Sequence, residues 1–131
     1  MRNFSYILMK IRSHKELDVY KLAFEAAFMI FEESRKFPPE ERYSMTDQIR
    51  KSSRSVCANL AEAFRKRKYP NFFVSKLSDS EGEAAETQVW LDFALKCSYI
   101  SNNVYDELFL KYDNIIGKLV TMSQQPEKWQ Y

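Results

Sequence analysis

Basic side chains are concentrated in the middle of this 131-residue chain. Four are consecutive: Arg65, Lys66, Arg67 and Lys68. Three more lie upstream, at Arg50, Lys51 and Arg54. The segment 35–68 holds ten basic and four acidic residues, whereas the whole chain has a net charge of only +2. Clustered cations without a base-reading element are typical of contacts with nucleic-acid phosphates, which show little sequence preference and depend strongly on salt.

Each basic group also has a structural interpretation. Between Asp79 and Asp92 lie five acids and no base. If the second and third helices form a hairpin that turns near residue 68, opposed positions sum to about 136, and Arg50 and Arg54 lie level with these acids. The two arginines are then expected to pair with the third helix, within a subunit or across an interface. For residues 65–68 the alternative is a solvated turn, since cations suit a helix C-terminus.

Asn59 lies on or near the apolar stripe of the second helix, Glu62 follows it three residues later, and Gln48 is a further polar residue of the same helix. A buried amide must find hydrogen-bond partners, so we predict a polar network that fixes helix packing or subunit register. Contact with a ligand is the alternative for Asn59. An enzyme would need a carboxylate such as Glu62 with a shifted pKa in a pocket beside Asn59.

The inventory of reactive residues argues against most enzyme classes. One histidine and two cysteines fall short of a four-ligand zinc site, and two glycines are too few for a glycine-rich phosphate loop. We therefore predict no catalytic residue, no metal and no cofactor. No secretory signal or membrane-length apolar run is present. With Cys57 and Cys97 expected to be buried, reduced thiols, this favours a cytoplasmic protein without a membrane partner.

These residues are carried by four predicted helices in a single domain. The predicted ranges are 15–35, 45–66, 70–99 and 103–123, with an N-terminal arm at 1–14 and a loosely held tail at 124–131. Phe37-Pro38-Pro39 ends the first helix, Ser44 is a candidate N-cap of the second, and Pro70 suits the first position of the third. Short turns between helices favour an all-α, antiparallel up-down four-helix bundle.

The first and third helices have more apolar surface than one bundle can bury. We therefore predict a homo-oligomer, with Phe28, Trp90 and Phe93 in the interface. Gly82 lies inside the third helix, where glycine costs about 1 kcal/mol relative to alanine. We expect close packing against a neighbouring helix to explain it.

The tract FPPEERYSMTDQIRKSSRSVCANLAEAFRKR, residues 37–67, resembles the central motif of the bacterial four-helix-bundle proteins named for 23S rRNA intervening sequences. The motif falls on Phe37, Pro38, Glu41, Tyr43, Gln48, Ile49, Arg50, Lys51, Ser55, Asn59, Leu60, Ala61, Glu62, Ala63 and Arg65. Residues 82–100 resemble the third helix of the same family. Three positions depart from the pattern: Ala63 and Ser98 replace glycine, and Cys57 replaces proline.

The resemblance implies a left-handed antiparallel bundle that assembles into a ring, typically a homopentamer. It implies no known enzymatic activity and suggests association with RNA. We therefore predict a non-enzymatic, oligomeric module that contacts RNA or DNA through its basic residues. The alternative is an oligomeric scaffold without a direct nucleic-acid role, which recruits a protein partner through the acidic third helix or through Trp129 and Tyr131.

Overall fold

The computed structural model describes residues 11–129, and within that range the chain forms four α-helices and no strand. They are α1 (Asp18–Ser34), α2 (Met45–Arg65), α3 (Pro70–Lys96) and α4 (Asn102–Gln124). Short 3-10 turns lie at His14–Glu16, Pro39–Glu41 and Pro126–Lys128. The all-α four-helix bundle is confirmed. Most of the predicted arm, residues 1–10, and Tyr131 in the tail lie outside the described residues.

Each helix packs its apolar side into one shared core. α2 contacts α1 and α3, and α4 also contacts α1 and α3. The largest fully buried side chains include Phe64, Phe73, Leu91 and Tyr112. Burying a side chain of this size stabilises the fold by roughly 1.5–3 kcal/mol. In the described part of the chain, no helix combines the length and the apolar character that a bilayer crossing requires.

Small hydroxyl residues join α2 to α3 along a line that we call the hydroxyl seam, formed by Ser52, Ser80 and Thr87. Ser80 Oγ donates to the carbonyl oxygen of Val56 at 2.8 Å, and the hydroxyls of Thr87 and Ser52 are 2.8 Å apart. All three side chains are buried. The pairs 56–80 and 52–87 agree with the hairpin register predicted from sequence. Small side chains let the two helices approach closely enough for these bonds.

α3 ends three residues earlier than predicted, at Lys96. Ser98 takes a left-handed conformation with φ of 63°, and the Tyr99 N–H donates to the Ala94 carbonyl at 2.8 Å. This hydrogen bond terminates the helix in the manner of a glycine C-cap. The geometry explains why a glycine suits position 98. Since Cys97 belongs to this turn, it is exposed, and its predicted burial is wrong.

Three further predictions are also wrong: the cap at Ser44, the close packing at Gly82 and the loosely held tail. Ser44 precedes α2 but its side chain makes no capping hydrogen bond; Glu41 Oε1 instead accepts from the Met45 N–H at 3.3 Å. Gly82 is exposed, and a Cβ there would meet no atom within 4 Å, because this position faces away from the core. Trp129 is not loosely held: it is half-buried, and its ring centroid lies 6.5 Å from that of Phe73.

Candidate nucleic-acid interface

The turn between α2 and α3 carries the four consecutive cations, and we call residues 65–68 the basic corner. Arg65 is the last residue of α2, and the Tyr69 N–H donates to the Lys66 carbonyl at 2.9 Å before Pro70 begins α3. The side chains of Arg65, Lys66 and Lys68 are exposed. Like charges held this close raise the local positive potential, which attracts anions.

Arg67 differs from its neighbours because it folds back onto the helix end. It is half-buried, its Nη1 donates to the Phe64 carbonyl at 2.9 Å, and its guanidinium carbon lies 3.9 Å from the centroid of the Phe64 ring. These contacts satisfy one of the last carbonyl groups of α2. Arg67 therefore holds the turn in shape, while the other three cations face solvent.

Two aromatic rings lie among the exposed cations, and sequence reasoning did not single them out. Tyr69 is 52% exposed and Phe72 is 43% exposed. Lys66 Nζ lies 5.6 Å from the centroid of the Phe72 ring, and Lys68 Nζ lies 5.2 Å from that of Tyr69. The signal was the run RKRKYPNFF, in which cations lead directly into aromatics. Proteins that bind single-stranded nucleic acids combine cations, which contact the phosphates, with exposed aromatic rings, on which the bases stack.

Two members of the predicted polar network meet through Lys76. Lys76 Nζ is 2.7 Å from a carboxylate oxygen of Glu62 and donates to Asn59 Oδ1 at 3.4 Å, while Asn59 Nδ2 donates to the Ser55 carbonyl at 3.0 Å. The hydrogen bond to Glu62 raises the pKa of Lys76. Gln48 lies eleven residues before Asn59, which is about 16 Å along α2 at 1.5 Å per residue. It therefore does not join these residues.

A cavity of about 520 Å³ borders this network and the basic corner. Its lining is His14, Ala61, Glu62, Arg65, Lys66, Phe72 and Lys76. A pocket therefore exists beside Glu62, as the enzyme hypothesis required. The Glu62 carboxylate forms an ion pair with Lys76 at 2.7 Å across one side of this cavity. Three cations and one aromatic ring make the cavity suited to an anionic, planar ligand.

The structural interpretation predicted that Arg50 and Arg54 pair with α3 within a subunit, and this prediction is wrong. With Arg35 they surround the Phe31 ring, and their guanidinium carbons lie 4.8, 5.8 and 5.9 Å from its centroid for Arg50, Arg54 and Arg35, respectively. We call these three arginines the guanidinium cluster. In residues 11–129, no carboxylate lies within ion-pair distance of Arg50 or Arg54.

Helix geometry explains the error. Ser52 and Val56 face α3, and Arg50 and Arg54 each lie two residues away, about 200° around the helix. They therefore point toward α1, where Arg50 Nε donates to Ser34 Oγ at 2.8 Å. Burial lowers the pKa of Arg50, and repulsion from Arg54 and then Arg35 lowers it further.

Lys51 is the predicted cation that does lie near α3, where carboxylates cluster. Burial raises the pKa of Glu83, repulsion from Glu86 and then Asp79 adds to the rise, and the charge of Lys51 opposes it. Besides the basic corner, the described residues thus form two further clusters of like charge on different surfaces. One consists of arginines beside α1, and the other consists of carboxylates on α3.

The predicted interface residues lie at the surface. Phe28 is 55% exposed and Phe93 is 52% exposed, while Trp90 is half-buried and its Nε1 donates to Glu86 at 3.1 Å. Phe28 borders an apolar groove of about 510 Å³ between α1 and α2. Exposed rings of this size are typical of surfaces that another molecule covers.

Comparison with known proteins gives this geometry a family context. The chain is similar to a crystal structure of a protein with unknown function from the S23 ribosomal protein family of Bacteroides thetaiotaomicron, with a TM-score of 0.73 and 26% identity. The similarity covers 81% of this chain and 98% of that one. Comparison with curated proteins gives no match. The family model described as 23S rRNA-intervening sequence protein matches residues 15–121, and the chain belongs to that family.

Proposed function

We propose that this protein is a non-enzymatic, self-associating module that binds single-stranded RNA or DNA through its basic corner with little sequence preference. The observation that carries the proposal is the shared exposure of Arg65, Lys66 and Lys68 with the rings of Tyr69 and Phe72. The cations contact phosphates and the rings stack on bases, which requires no base-specific hydrogen bond. The adjoining cavity supplies space for a base beside Phe72.

We also propose how the helices of one copy are arranged and how the copies assemble. The helices form a left-handed, antiparallel up-down bundle, and copies associate in a ring, with five members as the resemblance implies. A ring repeats the basic corner, so weak single contacts combine into stronger binding to one strand. Two free thiols fit the reducing cytoplasm, where we place the protein.

The salt dependence of binding tests the role of the cations. We expect Arg65→Gln, Lys66→Gln and Lys68→Gln together to weaken binding of fluorescent single-stranded RNA and DNA in anisotropy titrations. Each lost phosphate contact should lower the slope of log affinity against log salt by about 0.7, and three by about 2. The matched control is Lys15→Gln, Lys21→Gln and Lys118→Gln, which removes equal charge from exposed lysines elsewhere. Equal slopes for the two triple variants would contradict the proposal.

Replacing the rings tests stacking separately. Tyr69→Ala with Phe72→Ala should reduce affinity for single strands by about 10-fold or more while leaving the salt slope unchanged. If the affinity is unchanged by these substitutions, the rings do not stack on bases, and only electrostatic attraction to the basic corner remains.

The alternative scaffold function loses one of its proposed contacts, because Trp129 packs against the core. Its remaining described surface is the acidic side of α3. Recovery of one stoichiometric protein partner from lysate after nuclease treatment, with no measurable nucleic-acid binding, would favour the scaffold.

A further inference from the structure

Two surfaces of the bundle combine exposed apolar side chains with a cluster of like charges. The first, which we call the groove face, is the α1–α2 groove together with the guanidinium cluster. Its apolar lining includes Tyr20, Phe24, Ala27, Phe28, Phe31, Cys57, Ala58 and Ala61. Aromatic rings of α1 line one side of the groove and the small alanines of α2 line the other. The groove is therefore shaped to receive a ridge of side chains.

The second surface, which we call the stripe face, lies on α3. Glu83, Glu86, Trp90 and Phe93 recur at spacings of three and four residues, which places them on one side of the helix. Val89 beside them is 47% exposed, and Phe93 packs on Trp90 with ring centroids 5.9 Å apart. This side of α3 has carboxylates toward its N-terminal part and apolar groups toward its C-terminal part.

We propose that the groove face of one copy docks the stripe face of a second copy, so that the guanidinium cluster meets Glu83 and Glu86 while Phe93 enters the α1–α2 groove. The inference rests on the self-association included in the proposed function, and it names the surfaces that meet. It assigns the guanidinium cluster to assembly and leaves the basic corner for nucleic acid.

The spacing of apolar and charged groups along the two helices supports one orientation. Along α1 the apolar Phe24 precedes the cationic Arg35 by eleven residues, or about 16 Å at 1.5 Å per residue. Along α3 the acidic Glu83 precedes the apolar Phe93 by ten residues, or about 15 Å. If α3 of the second copy runs antiparallel to α1, apolar groups and opposite charges align together. The reverse direction would place the aromatic residues against the cations.

The repulsion between like charges within each cluster also supports a contact between the groove face of one copy and the stripe face of another. Three guanidinium groups around Phe31 repel one another, and within residues 11–129 none of them lies within ion-pair distance of a carboxylate. On α3, Glu86 and Asp79 repel Glu83, and this repulsion is only partly offset by Lys51 and by the ion pair of Asp79 with Lys76. Contact between the clusters removes both sources of repulsion. Contact between two groove faces would instead set six guanidinium groups against each other.

Because the two faces lie on different helices, a docked pair keeps a free stripe face on one copy and a free groove face on the other. Such a heterologous contact continues from copy to copy and closes into a ring when the rotation between copies permits. A twofold dimer would instead need the groove face and the stripe face of each copy to lie side by side, so that both contacts form in one interface.

Charge reversal tests the pairing directly. The groove variant carries Arg35→Glu and Arg54→Glu, which are exposed positions, and leaves the half-buried Arg50 in place. The stripe variant carries Glu83→Lys and Glu86→Lys. The control, Lys15→Glu with Lys118→Glu, changes charge by the same amount as the groove variant at exposed sites outside both faces. Light scattering after size exclusion gives the mass of each, and circular dichroism shows that each is folded.

We expect the wild type and the control to be oligomers and each reversed variant to associate about 100-fold more weakly. An equimolar mixture of the groove and stripe variants should re-form oligomers, because each supplies the face that the other needs. Folded variants that keep the wild-type mass, or a folded mixture that stays monomeric, would overturn the pairing. A monomeric wild type at micromolar concentration would do the same.

The result is separable from that of the nucleic-acid proposal. The triple glutamine variant of the basic corner should keep the wild-type mass while it loses binding. If the pairing fails but binding still depends on the basic corner, only the docking inference is wrong.

Discussion

Tyr112 offers a substitution that should stabilise the protein, although most core substitutions do the opposite. Its side chain is fully buried in α4, and its hydroxyl makes no hydrogen bond to any residue within 11–129. A buried polar group without a partner costs about 1–3 kcal/mol of desolvation free energy. Tyr112→Phe removes this hydroxyl and keeps the ring, so the core retains nearly all of its packing.

The net gain is expected at the lower end of that range, about 1 kcal/mol, because removing the oxygen also removes its dispersion contacts. The unfolding entropy is about 2.1 cal/mol/K per residue, or about 0.28 kcal/mol/K for 131 residues. The variant should therefore melt about 4 °C higher. Thermal denaturation followed by circular dichroism, at one fixed protein concentration, measures this shift.

Tyr105→Phe is the matched control, since the Tyr105 hydroxyl donates to Asp92. Losing this partly exposed hydrogen bond should leave the melting temperature unchanged or lower it slightly. The reasoning is refuted if Tyr112→Phe lowers the melting temperature as much as the control does, because the Tyr112 hydroxyl must then have a favourable partner.

Two further predictions concern the end of α3 and the thiols. Ser98→Gly should raise the free energy of unfolding by about 1 kcal/mol in urea titrations, because a left-handed φ is strained for serine and free for glycine; no gain would show that the turn is not strained. Burial raises the pKa of Cys57 to about 11, so at pH 8 only about one in a thousand of these thiols is ionised, and a thiol reagent should modify the exposed Cys97 at least 100-fold faster. Similar rates for the two thiols would refute this, with Cys97→Ser isolating the Cys57 rate.

The sequence predicted correctly which residues of α2 and α3 lie at the same level along the helix axes. It predicted incorrectly which neighbouring helix some residues of α2 face, that is, their rotation about the axis. The hairpin register followed from a turn near residue 68, and the hydroxyl seam agrees with it. The same register placed Arg50 and Arg54 level with acids of α3, yet they face α1. Level depends only on where the turn lies. Rotation depends on which side of α2 each neighbouring helix covers, and the apolar stripe alone did not show this.

The candidate site was predicted in part for a similar reason. The run of cations was visible in the sequence, but the sequence did not show that Arg67 would fold back onto Phe64. Neither Tyr69 nor Phe72 is predicted from the sequence to be exposed or functional. The exposure of Phe72 depends on the packing of Phe73, whose burial turns the preceding ring outward. Exposure of a single ring at a helix end is a tertiary property.

The hydroxyl seam has a mechanical consequence. Leucine against leucine can slide by a fraction of a turn at small cost, whereas an oxygen bonded to one particular carbonyl cannot move without breaking that bond. The α2–α3 hairpin should therefore behave as a stiff unit, with adjustments of the bundle confined to α1 and α4. Since the basic corner is the tip of that hairpin, its cations keep a fixed spacing while the rest of the subunit adapts to its neighbours.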